Sequence, residues 1–191
     1  EREPAIVLFE RVSPESGFRF RHELPGGRMD NLVKAAMGGV AVFDADGDGR
    51  LDVYCVNGGW QERMAGVPRP ERPAPNRLFR NLGRMRFEDV SDTSGADDTG
   101  FGLGACVGDY DGDGDVDLFV ANYFGSRLYR NRGDGTFEDV AEAAGIRPGL
   151  HAGCTFLDYD RDGDLDLFVG QYVDLDRPAT GVMLHGLDPD A

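Results

Sequence analysis

Asp109-Tyr110-Asp111-Gly112-Asp113-Gly114-Asp115-Val116-Asp117-Leu118-Phe119-Val120 sets aspartates at alternate positions and then turns apolar without a break. The same nine-residue figure occurs at Asp44-Ala45-Asp46-Gly47-Asp48-Gly49-Arg50-Leu51-Asp52 and at Asp158-Tyr159-Asp160-Arg161-Asp162-Gly163-Asp164-Leu165-Asp166. Each reads as a calcium loop. Carboxylates at positions one, three, five and nine, with the backbone carbonyl of position seven, suit a hard cation that takes roughly six to eight oxygens. The glycine at position six permits the sharp turn. The predicted side-chain ligands are Asp44, Asp46, Asp48 and Asp52; Asp109, Asp111, Asp113 and Asp117; and Asp158, Asp160, Asp162 and Asp166. Arg50, Asp115 and Asp164 supply the carbonyls, for up to three Ca²⁺ ions. Arg50 stands where the other loops carry Asp115 and Asp164, so the first loop is expected to bind most weakly.

The location of the acid supports this reading. The chain has 35 acidic and 20 basic residues, a net charge of −15. Setting aside the twelve loop aspartates leaves 23 against 20, or −3. Acid packed at ligand spacing points to a metal rather than to a diffuse negative surface, and makes nucleic acid an unsuitable partner.

Repetition organises the rest. Arg77-Leu78-Phe79-Arg80-Asn81 and Arg127-Leu128-Tyr129-Arg130-Asn131 match at an offset of 50, as do Phe87-Glu88-Asp89-Val90 and Phe137-Glu138-Asp139-Val140. Gly95 and Gly145 follow the latter pair, and Phe9-Glu10-Arg11-Val12 with Gly17 is a third relative near the start. Loops two and three lie 49 residues apart, whereas loops one and two lie 65 apart. The surplus falls in a proline-rich insertion over 58–75.

Short β-branched and aromatic runs lead into and out of every loop, which predicts strands. An EF-hand needs helical flanks and a glutamate at position twelve, where this chain has Cys55, Val120 and Val169. The period therefore reads strand, metal hairpin, strand, loop, strand, turn, strand, which is one four-stranded blade of an all-β propeller. The expected layout has an outer closing strand in 5–22, blade one over 38–95 and blade two over 102–145. It ends with the inner half of blade three over 151–173 and an irregular tail over 175–191. About two and a half blades cannot close the usual ring, so the remaining blades are expected in cis or on a partner chain.

These loops with their Asp-Leu-Phe-Val flanks, the run Asn131-Arg132-Gly133-Asp134-Gly135-Thr136-Phe137, and Gln171-Tyr172-Val173-Asp174 resemble the FG-GAP/VCBS repeat proteins. Closest in appearance is the branch of cartilage acidic protein and bacterial proteins with an ASPIC/UnbV domain. The resemblance implies a calcium-bearing propeller on an exported, periplasmic or cell-surface protein. It carries over no function residing in the ASPIC/UnbV portion, which this sequence lacks.

Other features read as structure. The apolar stretches are too short to span a bilayer. Cys55, Cys106 and Cys154 sit in apolar runs without CxxC spacing and read as buried thiols. His22, His151 and His185 are scattered, without the partners that zinc or nucleophilic catalysis requires. Arg132-Gly133-Asp134 spells an adhesive tripeptide but lies in a turn that the repeat explains, and Trp60 reads as a loop anchor before a glycan platform. The expected role is a non-enzymatic, calcium-stabilised binding or scaffolding module, the alternatives being a piece of a propeller hydrolase or lyase, or a lectin.

Overall fold

The computed structural model describes residues 13–23, 37–60, 70–173 and 182–184. Alternating apolar residues around each aspartate loop fold as two antiparallel strands, because one sheet face can then be buried at every second position. β1 (Gly39–Phe43) and β2 (Asp52–Val56) flank the first loop, and β3 (Arg77–Asn81) and β4 (Phe87–Asp89) complete a four-stranded sheet in the order β1-β2-β3-β4. β5 (Gly102–Gly108), β6 (Asp117–Asn122), β7 (Arg127–Asn131) and β8 (Phe137–Asp139) repeat it. The register repeats as well: the hairpins close on the pairs Phe43 with Asp52, Gly108 with Asp117, and Leu157 with Asp166. The chain is thus an incomplete β-propeller of antiparallel blades.

The third sheet corrects one expectation. β9 (Leu150–Leu157) and β10 (Asp166–Val173) are its inner pair, and β11 (Val182–Leu184) adds to β10 within the tail expected to be irregular. Three residues among prolines and glycines carry too little periodicity to announce a strand; the free edge of β10 supplies the pairing that the local pattern does not. The anticipated closing strand at 9–12 lies outside the described residues, as does half of the insertion, 61–69.

Blades stack face to face. Ala41, Phe43, Tyr54, Val56 and Leu78 of blade one meet Leu118, Val120, Tyr129 and Phe137 of blade two in a buried cluster. The opposite face of blade two, through Phe119, Ala121 and Leu128, meets Leu167 and Val169 of blade three in the same manner. Glycines permit close seating at two steps. α1 (Ser91–Ser94) ends on Gly95 in the left-handed region at φ 77°, and a methyl there would stand 2.6 Å from the Phe137 carbonyl oxygen of the next blade. Gly17, φ 84°, ends the 3₁₀ turn Pro14–Ser16 in the same way, 2.2 Å from the Phe87 oxygen. Residues 13–18 thus seat on blade one much as Gly95 seats on blade two, and Phe18 packs on Phe79 at a centroid distance of 4.4 Å. Gly145 has the same conformation, φ 72°, and meets nothing within 4 Å.

Candidate metal centres

The three loops share one hydrogen-bond scheme. The position-five N–H donates to the position-three carboxylate at 3.3 Å in each loop, from Asp48 to Asp46, Asp113 to Asp111, and Asp162 to Asp160. The position-seven N–H donates to the position-five carboxylate at 2.8–2.9 Å, from Arg50, Asp115 and Asp164. Gly49 and Gly114 donate to the position-one carboxylates of Asp44 and Asp109 at 2.8 and 3.0 Å. These contacts curl the backbone into a cup and turn the carboxylates of positions one and three to one side. Position four also requires the left-handed region: Gly47 and Gly112 take it at φ 70° and 71°, and Arg161 is held there at φ 65°. That requirement is invisible in a pattern that marks only position six.

Ligand atoms of Asp44, Asp46 and Asp48 lie within 4.8 Å of one another, as do those of Asp109, Asp111 and Asp117, and of Asp158, Asp160 and Asp166. Positions one and three thus converge in every loop; position five joins them in loop one, and position nine in loops two and three. Asp113 and Asp162 stand outside those two groupings, as does Asp52 in the first.

Position nine has a second duty. Asp52 accepts the Ala45 N–H at 2.9 Å with one oxygen and the Asn81 N–H at 2.6 Å with the other. Asp117 does the same with Tyr110 at 3.0 Å and Asn131 at 2.8 Å, and Asp166 accepts from Tyr159 at 3.0 Å. Asp52 and Asp117 thereby tie their loops to β3 and β7, and each oxygen keeps a lone pair for a cation. Burial pushes Asp117 up to about 7, against the two N–H donors that pull it down and with Asp111 and Asp113 adding repulsion. Asp52 and Asp111 are raised by burial too.

One atom decides the fit. Asp109 Oδ1 is buried without a hydrogen-bond partner, in the same group as Asp111 and Asp117. A buried carboxylate oxygen with no donor is costly unless a cation or ordered water meets it. The oxygen-only donor set of each cup suits a hard divalent cation. In loop one, Arg50 leans across the cup to pair with Asp48 and donates from Nε to the Asn81 carbonyl at 2.7 Å.

Asn81 and Asn131, ending β3 and β7, are site residues that loop spacing alone does not reveal. Asn131 Nδ2 donates to Val116 of its own loop at 3.0 Å and to Ala45 of the neighbouring blade's loop at 3.1 Å. Asn81 donates to Leu51 at 2.9 Å. Their signal was present as the invariant last residue of the Arg-Leu-aromatic-Arg-Asn repeats.

With the loops and blades placed, comparison with known families is decisive. The FG-GAP-like repeat matches residues 44–120 and again 109–169. The chain belongs to the FG-GAP-like repeat family. Each match runs from one aspartate loop through the next and ends in the second strand of the following blade, so the matched unit has the blade period but a shifted frame. Comparison with curated proteins returns no match.

The remaining candidates are placed as structure. In the Arg132-Gly133-Asp134 turn, Arg132 pairs with Glu138 at 3.1 Å, and Asp134 accepts the Thr136 N–H and hydroxyl at 3.0 and 2.6 Å. His151 is buried with Nδ1 2.7 Å from Ser126 Oγ, which also accepts the Asn122 N–H. That hydroxyl, itself buried, is a bridge between blades rather than a presented nucleophile. Trp60 is half-buried, and its N–H donates to the Thr99 carbonyl at 3.2 Å. His185 lies outside the described residues. Among the described residues, no helix is long and apolar enough to cross a membrane.

Proposed function

We propose that this chain is a calcium-stabilised, non-enzymatic propeller module that serves as an extracellular or cell-surface scaffold. The observation that carries the reading is the threefold acidic cup with the unpartnered, buried Asp109 Oδ1 in its middle member. Asp109, Asp111, Asp113 and Asp117 with the Asp115 carbonyl would hold one ion. Asp158, Asp160, Asp162 and Asp166 with the Asp164 carbonyl would hold a second, and Asp44, Asp46, Asp48 and Asp52 with the Arg50 carbonyl a third. The ion supplies charge neutralisation and cross-linking, not chemistry on a substrate. The residues pre-shape the cups through the repeated N–H contacts, and position nine transmits the geometry of the first two cups to β3 and β7. The Arg50–Asp48 pair competes with a cation, so loop one is the weakest site.

Because the cup exists only in the folded chain, each ion would stabilise folding by roughly 2.7 kcal/mol when free calcium is a hundred times the dissociation constant. Extracellular calcium modules hold constants on the order of 10⁻⁴ to 10⁻³ M. Millimolar calcium outside cells then loads sites that cytosolic calcium leaves empty, which is the basis for an exported location. The partner we propose is further blades of the same kind, in cis or on another chain. The test of the whole reading is thermal unfolding of the chain in calcium and in chelator: calcium should raise the midpoint by several degrees, magnesium much less. Equal midpoints would defeat it.

A further inference from the structure

The three cysteines, read from sequence as inert buried thiols, divide into one and two. Cys55 is buried on β2. Cys106 on β5 and Cys154 on β9 pack against one apolar cluster between blades two and three, with their thiols near enough to interact. The two strands are close on both sides of that contact. A methyl added to Gly108 would stand 2.9 Å from the Phe156 Cβ, and one added to Gly104 would stand 3.4 Å from the Ala152 carbonyl oxygen. Side chains alternate along a strand, so 104, 106 and 108 share one face of β5 and 152, 154 and 156 one face of β9. Cys106 and Cys154 are therefore the middle pair in a run of matched close approaches, and glycines on either side of Cys106 are what admit them. Disulfides need Cβ atoms about 3.5–4.5 Å apart, a separation reached only where two backbones come this near.

We propose that Cys106 and Cys154 form an inter-blade disulfide that joins blade two to blade three covalently when the protein meets a small-molecule disulfide oxidant. One thiolate attacks a sulfur of the oxidant and breaks its S–S bond, giving a mixed disulfide and releasing one small thiolate. The second cysteine, deprotonated, attacks the protein sulfur of that mixed disulfide and expels the other small thiolate. The protein loses two protons and two electrons, and the oxidant is reduced to two thiols. The neighbouring Cys154 thiol and burial raise the Cys106 thiol far above its usual range, so the first attack is slow at neutral pH and faster at mildly alkaline pH. The bond is independent of the cation reading, since neither thiol belongs to a cup.

The experiment is incubation of the folded full chain with glutathione disulfide at mildly alkaline pH, then denaturation, alkylation of remaining thiols and mass mapping. The expected product carries alkyl groups at Cys55 alone, with one cross-linked peptide pair containing Cys106 and Cys154, and reductant restores three alkylatable thiols. C55A should give the same cross-link. The oxidised chain should melt at a higher temperature than the reduced chain, and that shift should persist in chelator. Three free thiols after a control dithiol peptide has been fully oxidised would overturn the proposal. A product stopped at one glutathione per chain, pairing through Cys55, or a cross-link formed only in denaturant would overturn it too.

Discussion

At the scale of single residues, carboxylates with the same spacing do different work, and substitution separates them. Asp111 faces the cup and accepts only its own loop's N–H, whereas Asp117 is buried with both oxygens engaged by Tyr110 and Asn131. D111N should therefore remove calcium-dependent stabilisation, roughly 2.7 kcal/mol when free calcium is a hundred times the dissociation constant. It should leave the chelated protein unchanged or slightly more stable as repulsion falls. D117N leaves one N–H facing an amide donor, so it should cost about 1–3 kcal/mol even in chelator, with the calcium-dependent part lost in addition when calcium is present. Denaturant titrations of both variants, with and without calcium, check the contrast. The same residue sets a pH dependence. Burial raises Asp117 to about 7 in the folded chain, above its unfolded value of about 3.9, so the folded state binds more protons between those limits. Stability of the chelated protein should fall as pH rises through about 4 to 7. Calcium has to displace that proton, so its affinity should strengthen over the same window. Urea midpoints read across that range, with and without calcium, test both slopes. Ligand spacing was legible because carboxylate chemistry leaves a period in the sequence. The double duty of position nine was not, since its N–H partner comes from a strand some 14 to 29 residues away.

At the scale of elements, the fold depends on how one repeat's end seats on the next repeat's outer strand. Gly95 and Gly145 end equivalent turns with equivalent torsions, yet only Gly95 presses on a neighbour, the Phe137 carbonyl. G145A should cost about 1 kcal/mol, the strain of a left-handed alanine. G95A adds a backbone collision that β8 must move to relieve, and should cost about 2–4 kcal/mol. Thermal unfolding of the pair measures the difference, and equal losses would contradict this account of blade stacking. Strands, hairpins and the four-strand period were all readable from Phe-Glu-Asp-Val and Arg-Leu-aromatic-Arg-Asn repeats at a fixed offset. What escaped was β11, whose three residues are a strand only because β10 offers an edge, and the Cys106–Cys154 contact, which depends on the stacking of two blades rather than on any spacing between cysteines.

At the scale of the whole molecule, the faces that interlock inside the stack are also its two ends. Val40 and Val42 of blade one, 61% and 51% exposed, occupy the positions that Ala105 and Val107 fill against blade one, and Leu157 and Tyr159, 36% and 56% exposed, end the opposite side. Uncovered sheet faces and edges of this kind associate. Light scattering of the isolated chain should show mass rising with concentration, and a lysine at both Val40 and Tyr159 should suppress that rise. A monodisperse wild-type monomer at all concentrations would count against further blades as the partner. The propeller class was legible from repeat length and strand count, whereas the stacking direction became plain only from contacts such as Asn131 to Ala45, which cross between blades. The proposed function returns to the three aspartate cups. Titrating the chelator-treated chain with Ca²⁺ in a calorimeter addresses them most directly. The account predicts saturable heat, two stronger sites and a weaker third that is lost first in variants of loop one. Heats no larger than dilution at millimolar Ca²⁺ would contradict it.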